Sequence, residues 1–426
     1  MKRKILSLIV ISICLFSLTF TLFACKNEED TVSSGLSYTL INENSGYEVS
    51  GIGECADENI VIPETYQGLP VVRIGDKAFY DNYLIKTIKI PESVRSIGEN
   101  AFAFCFNLFS VDLHENIYEI KDETFYCCTS LTQITLPKRL SRIGDFAFGG
   151  CEKISSLTMP SNVYKIGKYA FMNCTSLETV DLANVKQIGE KAFISCSSLK
   201  EVKIGEFVEG IDALMFEYCH SLTSITVSEN NDDYKSIDGN LYSKDGKTLI
   251  IYPANKRDEQ FVIPDSVQSI GNWAFYQCSF LKKVSIGDNL KIIGHNAFIK
   301  CELLESVSMG DNVESIGVRA FYDCDSLKEI SLPKKITEIS RETFYSCNVL
   351  ESIIIPKSVT TIENDTFLGC YSLRSLAFED ASNWYKTDSF ANWENQTGGI
   401  LTDLSNPETN SEMFKGIYGN YRWYKK

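Results

Sequence analysis

The 426-residue sequence predicts an α/β repeat solenoid, in which coils of about 23 residues combine short parallel strands with short helical turns. Two observations predict it. A cysteine follows the repeated phenylalanine by three residues in eleven of twelve units. An alternating apolar pair begins nine residues after the same phenylalanine. The phenylalanines recur at intervals of 23 residues, apart from one interval of 22 and one of 59: Phe79, Phe102, Phe125, Phe148, Phe171, Phe193, Phe216, Phe275, Phe298, Phe321, Phe344 and Phe367.

Each unit combines two periodicities. Phe, Cys and Leu at positions 0, +3 and +6 would lie on one face of a short helical stretch. Ile-x-Ile at +9 and +11, as in Ile88 and Ile90, alternates as a strand does. A second extended piece ends at Ile-Gly near +18, as in Ile97-Gly98. No single coil can bury these side chains, so stacked coils must bury them against their neighbours.

The cysteine column admits two interpretations. Cys14 and Cys25 belong to the N-terminal leader, and the other thirteen are an odd number, so complete pairing within one chain is impossible. The column is either a disulfide or metal ladder, or a row of small buried thiols beneath the phenylalanines. One cysteine per coil, without a second partner column, favours buried thiols and predicts no metal.

The first 24 residues have the order of an export signal. Lys2, Arg3 and Lys4 precede an apolar run that ends at Ala24-Cys25. This junction resembles a bacterial lipobox, and the resemblance implies cleavage of a lipoprotein-type signal peptide (1–24) and lipidation of Cys25. The alternative is an uncleaved membrane anchor. Residues 25–35 are polar and predict a tether.

The unit I-G-x-x-A-F-x-x-C-x-x-L-x-x-[IV]-x-[IL]-P resembles that of BspA-like bacterial leucine-rich-repeat surface proteins. Ile166 to Leu177 matches its first twelve positions, and so does Ile316 to Leu327. Gly68 to Gly75 resembles the usual opening coil of that family, and Asp233 to Ser243 resembles its mid-array insert. The resemblance implies a leucine-rich-repeat solenoid over 79–378, after an N-terminal cap and first coil at 36–78.

A predicted insert at 228–260 interrupts the repeat. Asp245-Gly246 lies between two alternating runs, which is a hairpin signal. The insert is a binding loop or a structural splice, and the splice is favoured. Asp232, Asp233 and Asp238 lack the spacing of a calcium loop, so no metal site is predicted.

The stack also needs caps, because its end coils would otherwise expose apolar faces. Residues 379–426 form the predicted aromatic C-terminal cap, which contains three of the four tryptophans. These are candidate contacts for carbohydrate, although closing the last coil is the favoured role: Trp384, Trp393 and Trp423.

Composition excludes several functions. A net charge of −15 would repel a phosphate backbone, so no nucleic-acid partner is expected. The three histidines, His114, His220 and His295, occupy different repeat positions, and no nucleophile elbow, phosphate loop or HExxH motif occurs. The sequence therefore predicts a protein that is not an enzyme and that uses no cofactor.

The candidate binding surface is a ribbon of side chains at position +10, which should point to solvent. Its residues are Lys89, Asp112, Thr135, Thr158, Asp181, Lys203, Thr226, Ser285, Ser308 and Ser331. With the family resemblance, this surface predicts adhesion to protein ligands such as host extracellular matrix or other cells. The expected location is the bacterial cell surface or outer membrane, held through the lipid anchor. Carbohydrate capture by the C-terminal aromatics and a purely structural role are the alternatives.

Overall fold

A computed structural model describes residues 31–41, 45–387, 400–416 and 420–426. The leader with Cys25, and also Trp393, lie outside the described residues. The chain winds into stacked coils, each of which supplies a strand to one or both of two ladders. Neighbouring strands in each ladder are parallel, as in the pairing of Thr87 with Ser110.

The first ladder contains the alternating pair at +9 and +11. Its strands are β3 (Asn59–Val61), β6 (Thr87–Lys89), β8 (Ser110–Asp112), β10 (Gln133–Ile134), β13 (Thr179–Leu182), β15 (Glu201–Ile204), β16 (Ser224–Val227), β20 (Gln260–Val262), β22 (Lys283–Ser285), β24 (Ser306–Ser308), β26 (Glu329–Ile330), β28 (Ser352–Ile355) and β30 (Ser375–Phe378). The ladder is divided into four sheets, β3–β6–β8–β10, β13–β15–β16, β20–β22–β24–β26 and β28–β30.

The second ladder contains the isoleucines that precede the turn glycines. Its strands are mostly two residues long because the turn follows at once: β5 (Leu69–Ile74), β7 (Ser96–Ile97), β9 (Glu119–Ile120), β11 (Arg142–Ile143), β12 (Lys165–Ile166), β14 (Gln187–Ile188), β19 (Thr248–Ile251), β21 (Ser269–Ile270), β23 (Ile292–Ile293), β25 (Ser315–Ile316), β27 (Glu338–Ile339) and β29 (Thr361–Ile362).

The remaining elements form the two ends and the insert. They are β1 (Ser37–Ile41), β2 (Gly46–Gly51), β4 (Thr65–Tyr66), β17 (Tyr234–Ile237), β18 (Asn240–Ser243), β31 (Trp384–Thr387), β32 (Ile400–Leu401), α1 (Pro407–Lys415) and β33 (Arg422–Lys425). At the N-terminal end, β2 pairs with β5 and so extends the second ladder.

The repeated phenylalanines form a stack through the core, as the period predicts. Phe171 is buried, and its ring centroid lies 5.4 Å from that of Phe148 and 5.3 Å from that of Phe193. The rings are nearly parallel, with an interplanar angle of 1° for the second pair. Burial of apolar surface against the coils above and below is therefore the main stabilising term of the solenoid.

The predicted short helical turns are not supported, since helix within the described residues is confined to α1 and a 3₁₀ turn at Ala213–Phe216. Left-handed residues flank eleven of the twelve repeated phenylalanines on both sides, as Asn100 (φ +55°) and Phe104 (φ +64°) flank Phe102, and Phe216 in the 3₁₀ turn is the exception. Such residues end an α-helix. The Phe102 N–H donates to Thr124 of the next coil at 2.9 Å, whereas the Cys105 N–H donates to Phe102 at 3.1 Å. The segment is therefore a series of tight turns cross-linked between coils.

The cysteine column consists of buried free thiols, as favoured from the sequence. Each Sγ–H donates to the backbone carbonyl of the aromatic residue in the preceding coil. Cys105 reaches the Phe79 oxygen at 3.0 Å, and Cys174 reaches that of Phe148 at 3.2 Å. Burial raises the pKa of Cys105 to about 12. The column thus supplies small side chains that also satisfy a buried carbonyl.

The turn glycines are needed because neighbouring coils approach closely. A Cβ on Gly98 would lie 2.4 Å from the backbone nitrogen of Asp76, and one on Gly167 would lie 2.4 Å from the carbonyl carbon of Gly144. Both contacts are with backbone, which cannot move aside. Tight stacking of neighbouring coils at this turn therefore explains why glycine recurs there.

The insert contains the predicted hairpin, in which β18 pairs antiparallel with β19 and Leu241 opposes Ile251. β19 then pairs in parallel with β21, so the hairpin returns the chain to the second ladder. Leu241 packs in the core of the N-terminal coils and Tyr242 in that of the C-terminal coils. The hairpin thus packs in both core clusters, and its role as a structural splice rather than a binding loop stays a prediction.

Candidate functional site

Nine of the ten ribbon residues lie on strands of the first ladder or directly after them. Thr158 lies in a coil segment that contributes no strand, and all ten residues are exposed. Strand register places several of them side by side: Lys89 opposes Asp112, and Ser285 opposes Ser308. Alternation along the strand explains their exposure, since the residues on either side of Lys89 (Ile88 and Ile90) are buried in the core. The structure thus brings these side chains onto one face. Whether they bind a ligand stays a prediction.

Charge on the ribbon is sparse. Asp181 and Lys203 oppose each other in neighbouring strands, with Oδ2 and Nζ 4.0 Å apart. Both side chains are more than half exposed, so this pair contributes little stability. Most other positions are serine or threonine. The ribbon therefore offers short hydrogen-bonding groups to a partner, with opposite charges in register at two places, Lys89 with Asp112 and Asp181 with Lys203.

Two hollows open on the ribbon. The first, the Thr158 hollow, has a volume of about 380 Å³ and is lined by Thr158, Asp181 and Lys203 together with Leu157 and Met159. The second, the Ser331 hollow, has a volume of about 670 Å³, and its ribbon residues are Ser308 and Ser331. Its apolar walls are Met309, Ile330, Leu332, Ile353 and Ile354. Both hollows combine apolar surface with hydroxyl groups.

Both hollows lie where the first ladder is interrupted. Residues 154–160 contribute no strand, and β26 and β28 belong to different sheets. Each hollow is lined by a proline, Pro160 or Pro356, which has no N–H to donate to a neighbouring coil. Each depression on the ribbon therefore lies beside a break in the pairing between first-ladder strands of adjacent coils.

Two of the predicted aromatic contacts must be corrected. Trp384 and Trp423 are 1% and 0% exposed, so neither presents a ring face to a sugar. Trp423 stacks on Phe414 with centroids 4.4 Å apart, and Phe414 in turn meets Phe367, the last ring of the stack, at 6.1 Å. These tryptophans close the solenoid. Trp393 lies outside the described residues.

The histidines make local contacts in separate coils. Nδ1 of His114 accepts from the N–H of Asn116 at 3.2 Å, and Nδ1 of His295 accepts from that of Val318 at 3.0 Å. Across the part of the chain that the structure describes, no group of three or more His, Cys, Asp or Glu residues is placed to hold a metal ion.

Sequence reasoning missed one member of the stack. Tyr252 lies 23 residues before Phe275 and its ring centroid lies 5.1 Å from that of Phe275. Its N–H donates to Ala274 in the next coil at 2.8 Å, as phenylalanines do elsewhere. The 23-residue spacing was a sufficient signal, but the tyrosine and the absence of a cysteine three residues later hid it.

Comparison with known families matches most of the chain. The family described as "BspA type Leucine rich repeat region (6 copies)" matches residues 53–178, 119–246, 254–374 and 291–416. The chain belongs to this family. The resemblance recognised from the repeat unit is thereby confirmed, and the solenoid is a BspA-type leucine-rich-repeat array.

Solved bacterial structures share the fold. A leucine rich cell surface protein from Faecalibacterium prausnitzii is 26% identical, with a TM-score of 0.62, and the match covers 87% of this chain and 98% of that one. A leucine-rich repeat protein from Bacteroides ovatus is 28% identical, with a TM-score of 0.60 and coverage of 82% and 94%. One from Eubacterium ventriosum, 24% identical with a TM-score of 0.55 and coverage of 81% and 83%, shows the fold alone.

No curated protein matches the chain. Within the described ranges, no helix has both the length and the apolar character that crossing a membrane requires.

Proposed function

We propose that this chain is a non-enzymatic protein of the bacterial cell surface that binds protein ligands through its ribbon. Membership of the BspA-type leucine-rich-repeat family and the likeness to a cell surface protein of F. prausnitzii support this location. The observation that carries the binding role is the ribbon itself, where exposed polar residues and both hollows lie on one face.

A surface of this kind suits broad contact with a folded protein. Small hydroxyl side chains lose little conformational entropy on binding, and apolar side chains in the two hollows can accept anchoring residues of a partner. The proposed partners are proteins of the host extracellular matrix or of other cells. Adhesion would follow from such binding on an anchored protein. A purely structural role is the competing proposal, and it requires no ligand.

The binding role can be tested by placing an arginine in each hollow. Thr158→Arg and Ser331→Arg together should weaken binding to immobilised matrix proteins at least tenfold, because each new side chain fills a depression on the ribbon. Thr337→Arg is the matched control, since Thr337 is exposed but lies just before β27 on the second ladder. Surface plasmon resonance with the mature protein gives the affinities.

Two outcomes would reject the ribbon as the binding surface. One is equal binding by the double variant and the wild type. The other is an equal loss in the Thr337→Arg control. If the wild type binds none of the matrix proteins or intact cells tested, the structural role is favoured instead.

We also propose that Cys25 carries a lipid that anchors the protein. The junction Ala24-Cys25 after an apolar run supports this. The mass of the mature N-terminal peptide should include a diacylglyceryl group, and proteases added to intact cells should remove the solenoid. A Cys25→Ala chain should be released into the medium. An unmodified Cys25 in the wild-type protein would contradict the anchor.

A further inference from the structure

The stack of aromatic rings is interrupted once along the solenoid, beside the insert. Seven rings run from Phe79 to Phe216, and six run from Tyr252 to Phe367. Phe216 packs in the core of the N-terminal coils, whereas Tyr252 packs in that of the C-terminal coils. On the outer side of the turns at this junction, two adjoining cavities open that share His220 and Gln277. We call them together the junction pocket.

Polar groups converge on one half of the junction pocket. This cavity has a volume of about 160 Å³ and is lined by His220, Gln277, Ser279, Lys300, Glu302 and Leu303. The side-chain Oε1 of Gln277 is buried and meets no donor among the described residues. The Gln277 backbone is fixed by its N–H, which donates to Ile299 at 3.1 Å. A buried acceptor without a donor is uncommon, and a hydroxyl group that enters the cavity would satisfy it.

Aromatic rings line the other half, whose volume is about 20 Å³ and which therefore admits no more than the edge of a sugar. Tyr218 and Tyr276 meet edge to face, with centroids 5.9 Å apart and planes at 80°. Trp273 lies 5.6 Å from Tyr276 on its other side, and Tyr218 lies 5.9 Å from His220. Tyr218 remains 38% exposed. Burial, followed by the hydrogen bond with Tyr218, raises the pKa of Tyr276, so its phenol stays protonated and the two rings remain joined.

We propose that the junction pocket binds one residue of a neutral saccharide. The lining includes donors (Lys300, Ser279), acceptors (Gln277, Glu302) and flat apolar rings, and a sugar matches all three with hydroxyl groups that donate and accept and with a C–H face that packs on an aromatic ring. Lys300 and Glu302 bring opposite charges, and the whole chain carries −15, which disfavours an acidic sugar.

This site is separate from the ribbon. The junction pocket shares no lining residue with the Thr158 or Ser331 hollow. It goes beyond the proposed protein binding, and it moves carbohydrate recognition from the C-terminal tryptophans, which are buried, to the turn side of the junction. Its success or failure leaves the ribbon proposal untouched.

The test titrates the purified mature protein with neutral oligosaccharides (cellotriose, triacetylchitotriose and lactose) and follows binding by isothermal calorimetry and saturation-transfer NMR. At least one should bind saturably. Gln277→Asn should weaken that binding at least fivefold, because the shorter amide withdraws Oε1 while asparagine still tolerates the left-handed backbone at φ +53°. Trp273→Ala should weaken it at least tenfold.

The matched control is Tyr371→Ala, which removes an aromatic side chain that is 80% exposed in another coil. It should leave sugar binding unchanged, as should Thr158→Arg with Ser331→Arg. Thermal melting shows whether each variant is folded. If Trp273→Ala unfolds the protein, Gln277→Asn alone tests the site. Three results would overturn the proposal: no neutral sugar binds the wild type, the Tyr371→Ala control loses as much affinity as Gln277→Asn, or an acidic heparin fragment competes better than every neutral sugar.

Discussion

The two halves of the solenoid share an interior but differ on the surface. In the N-terminal half, from Phe79 to Phe216, a second row of aromatic side chains follows the outer turns, with neighbouring centroids 4.8–6.0 Å apart: Tyr80, Phe104, Tyr126, Phe146 and Tyr169. In the C-terminal half, from Tyr252 to Phe367, this row is reduced to separate pairs such as Tyr322 and Tyr345, whose centroids lie 4.7 Å apart, and charge on the surface is more regular. Position +7 there alternates acid and base along six consecutive coils: Glu259, Lys282, Glu305, Lys328, Glu351 and Arg374.

The comparison separates what the fold requires from what it permits. Phenylalanine and cysteine recur in both halves because ring stacking and a buried carbonyl leave little choice, and glycine recurs where the backbones of neighbouring coils approach closely. Positions +7 and the outer turns face solvent, so their residues are free to differ. Surface positions that differ between the two halves are therefore those that a partner could distinguish. The residue columns that the halves share are those that stabilise the fold.

The cysteine column, which both halves share, can be tested by raising the pH. We expect this change to have the largest effect on the free energy of unfolding. Burial raises the pKa of Cys105 and of Cys219 to about 12. A buried thiol resists ionisation, whereas the same thiol in the unfolded chain ionises with a pKa of about 8.5. The free energy of unfolding is therefore unaffected below that pKa and falls as the pH rises towards 12. At pH 10 each such thiol should cost roughly 1–2 kcal/mol of unfolding free energy.

Urea unfolding at pH 7.5 and pH 10 measures this loss. Replacing Cys105 and Cys219 together by alanine is the control, since the variant should lose less stability between the two pH values than the wild type. A midpoint that does not move between pH 7.5 and pH 10 would show that the thiols ionise without unfolding.

Truncating one ring in each half should give the next largest effect. Phe171→Ala and Phe321→Ala should each cost roughly 3–5 kcal/mol, because a cavity replaces a ring that stacks on both neighbours. Phe109→Ala, at a position that is 38% exposed, should cost less than about 1 kcal/mol. Urea titration gives the values.

Hydrogen exchange of the same variants shows whether the junction transmits the loss. Since each coil contacts only its neighbours, and the ring stack is interrupted between Phe216 and Tyr252, Phe171→Ala should loosen the N-terminal half more than the C-terminal half. Equal loosening of both halves would mean that the solenoid unfolds as one unit despite the interruption.

The sequence predicts the coil well where a column has one structural meaning. Phe171 and Cys174 recur at a fixed interval, and only stacking buries them, so the core, the free thiols and the exposed ribbon all follow from spacing. The interval of three residues between Phe, Cys and Leu is different. It fits a helix and a series of tight turns equally, and residues such as Phe104 and Glu123 give no sign of their left-handed backbone in the sequence.

The spacing of residues could not predict the sites that form where the repeat is interrupted. The junction pocket joins Tyr218 to Trp273 and Gln277, which are adjacent only because the insert removes one regular contact between coils. The ribbon hollows likewise lie where the first ladder is interrupted, beside Pro160 and Pro356. The C-terminal tryptophans show the converse, because aromatic content alone does not reveal whether Trp384 and Trp423 face the core or the solvent.

The smallest expected effect concerns the alternating charges of the C-terminal half. Lys328 lies between Glu305 and Glu351 in this column, and backbone hydrogen bonds join the three coils there. Lys328→Glu places like charges in consecutive coils and should cost roughly 0.5–1 kcal/mol at low salt. Thr132→Glu in the N-terminal half is the matched control, because its column neighbours Phe109 and Ser155 are uncharged.

Urea titration in about 0.02 M and about 1 M NaCl separates charge from packing, since exposed charges are screened within about 3 Å at 1 M salt. The cost of Lys328→Glu should largely vanish at high salt, whereas Thr132→Glu should cost little under either condition. If the Lys328→Glu loss persists at 1 M salt, packing of the lysine stem rather than alternation of charge stabilises this face, and the contrast between the two halves would not be electrostatic.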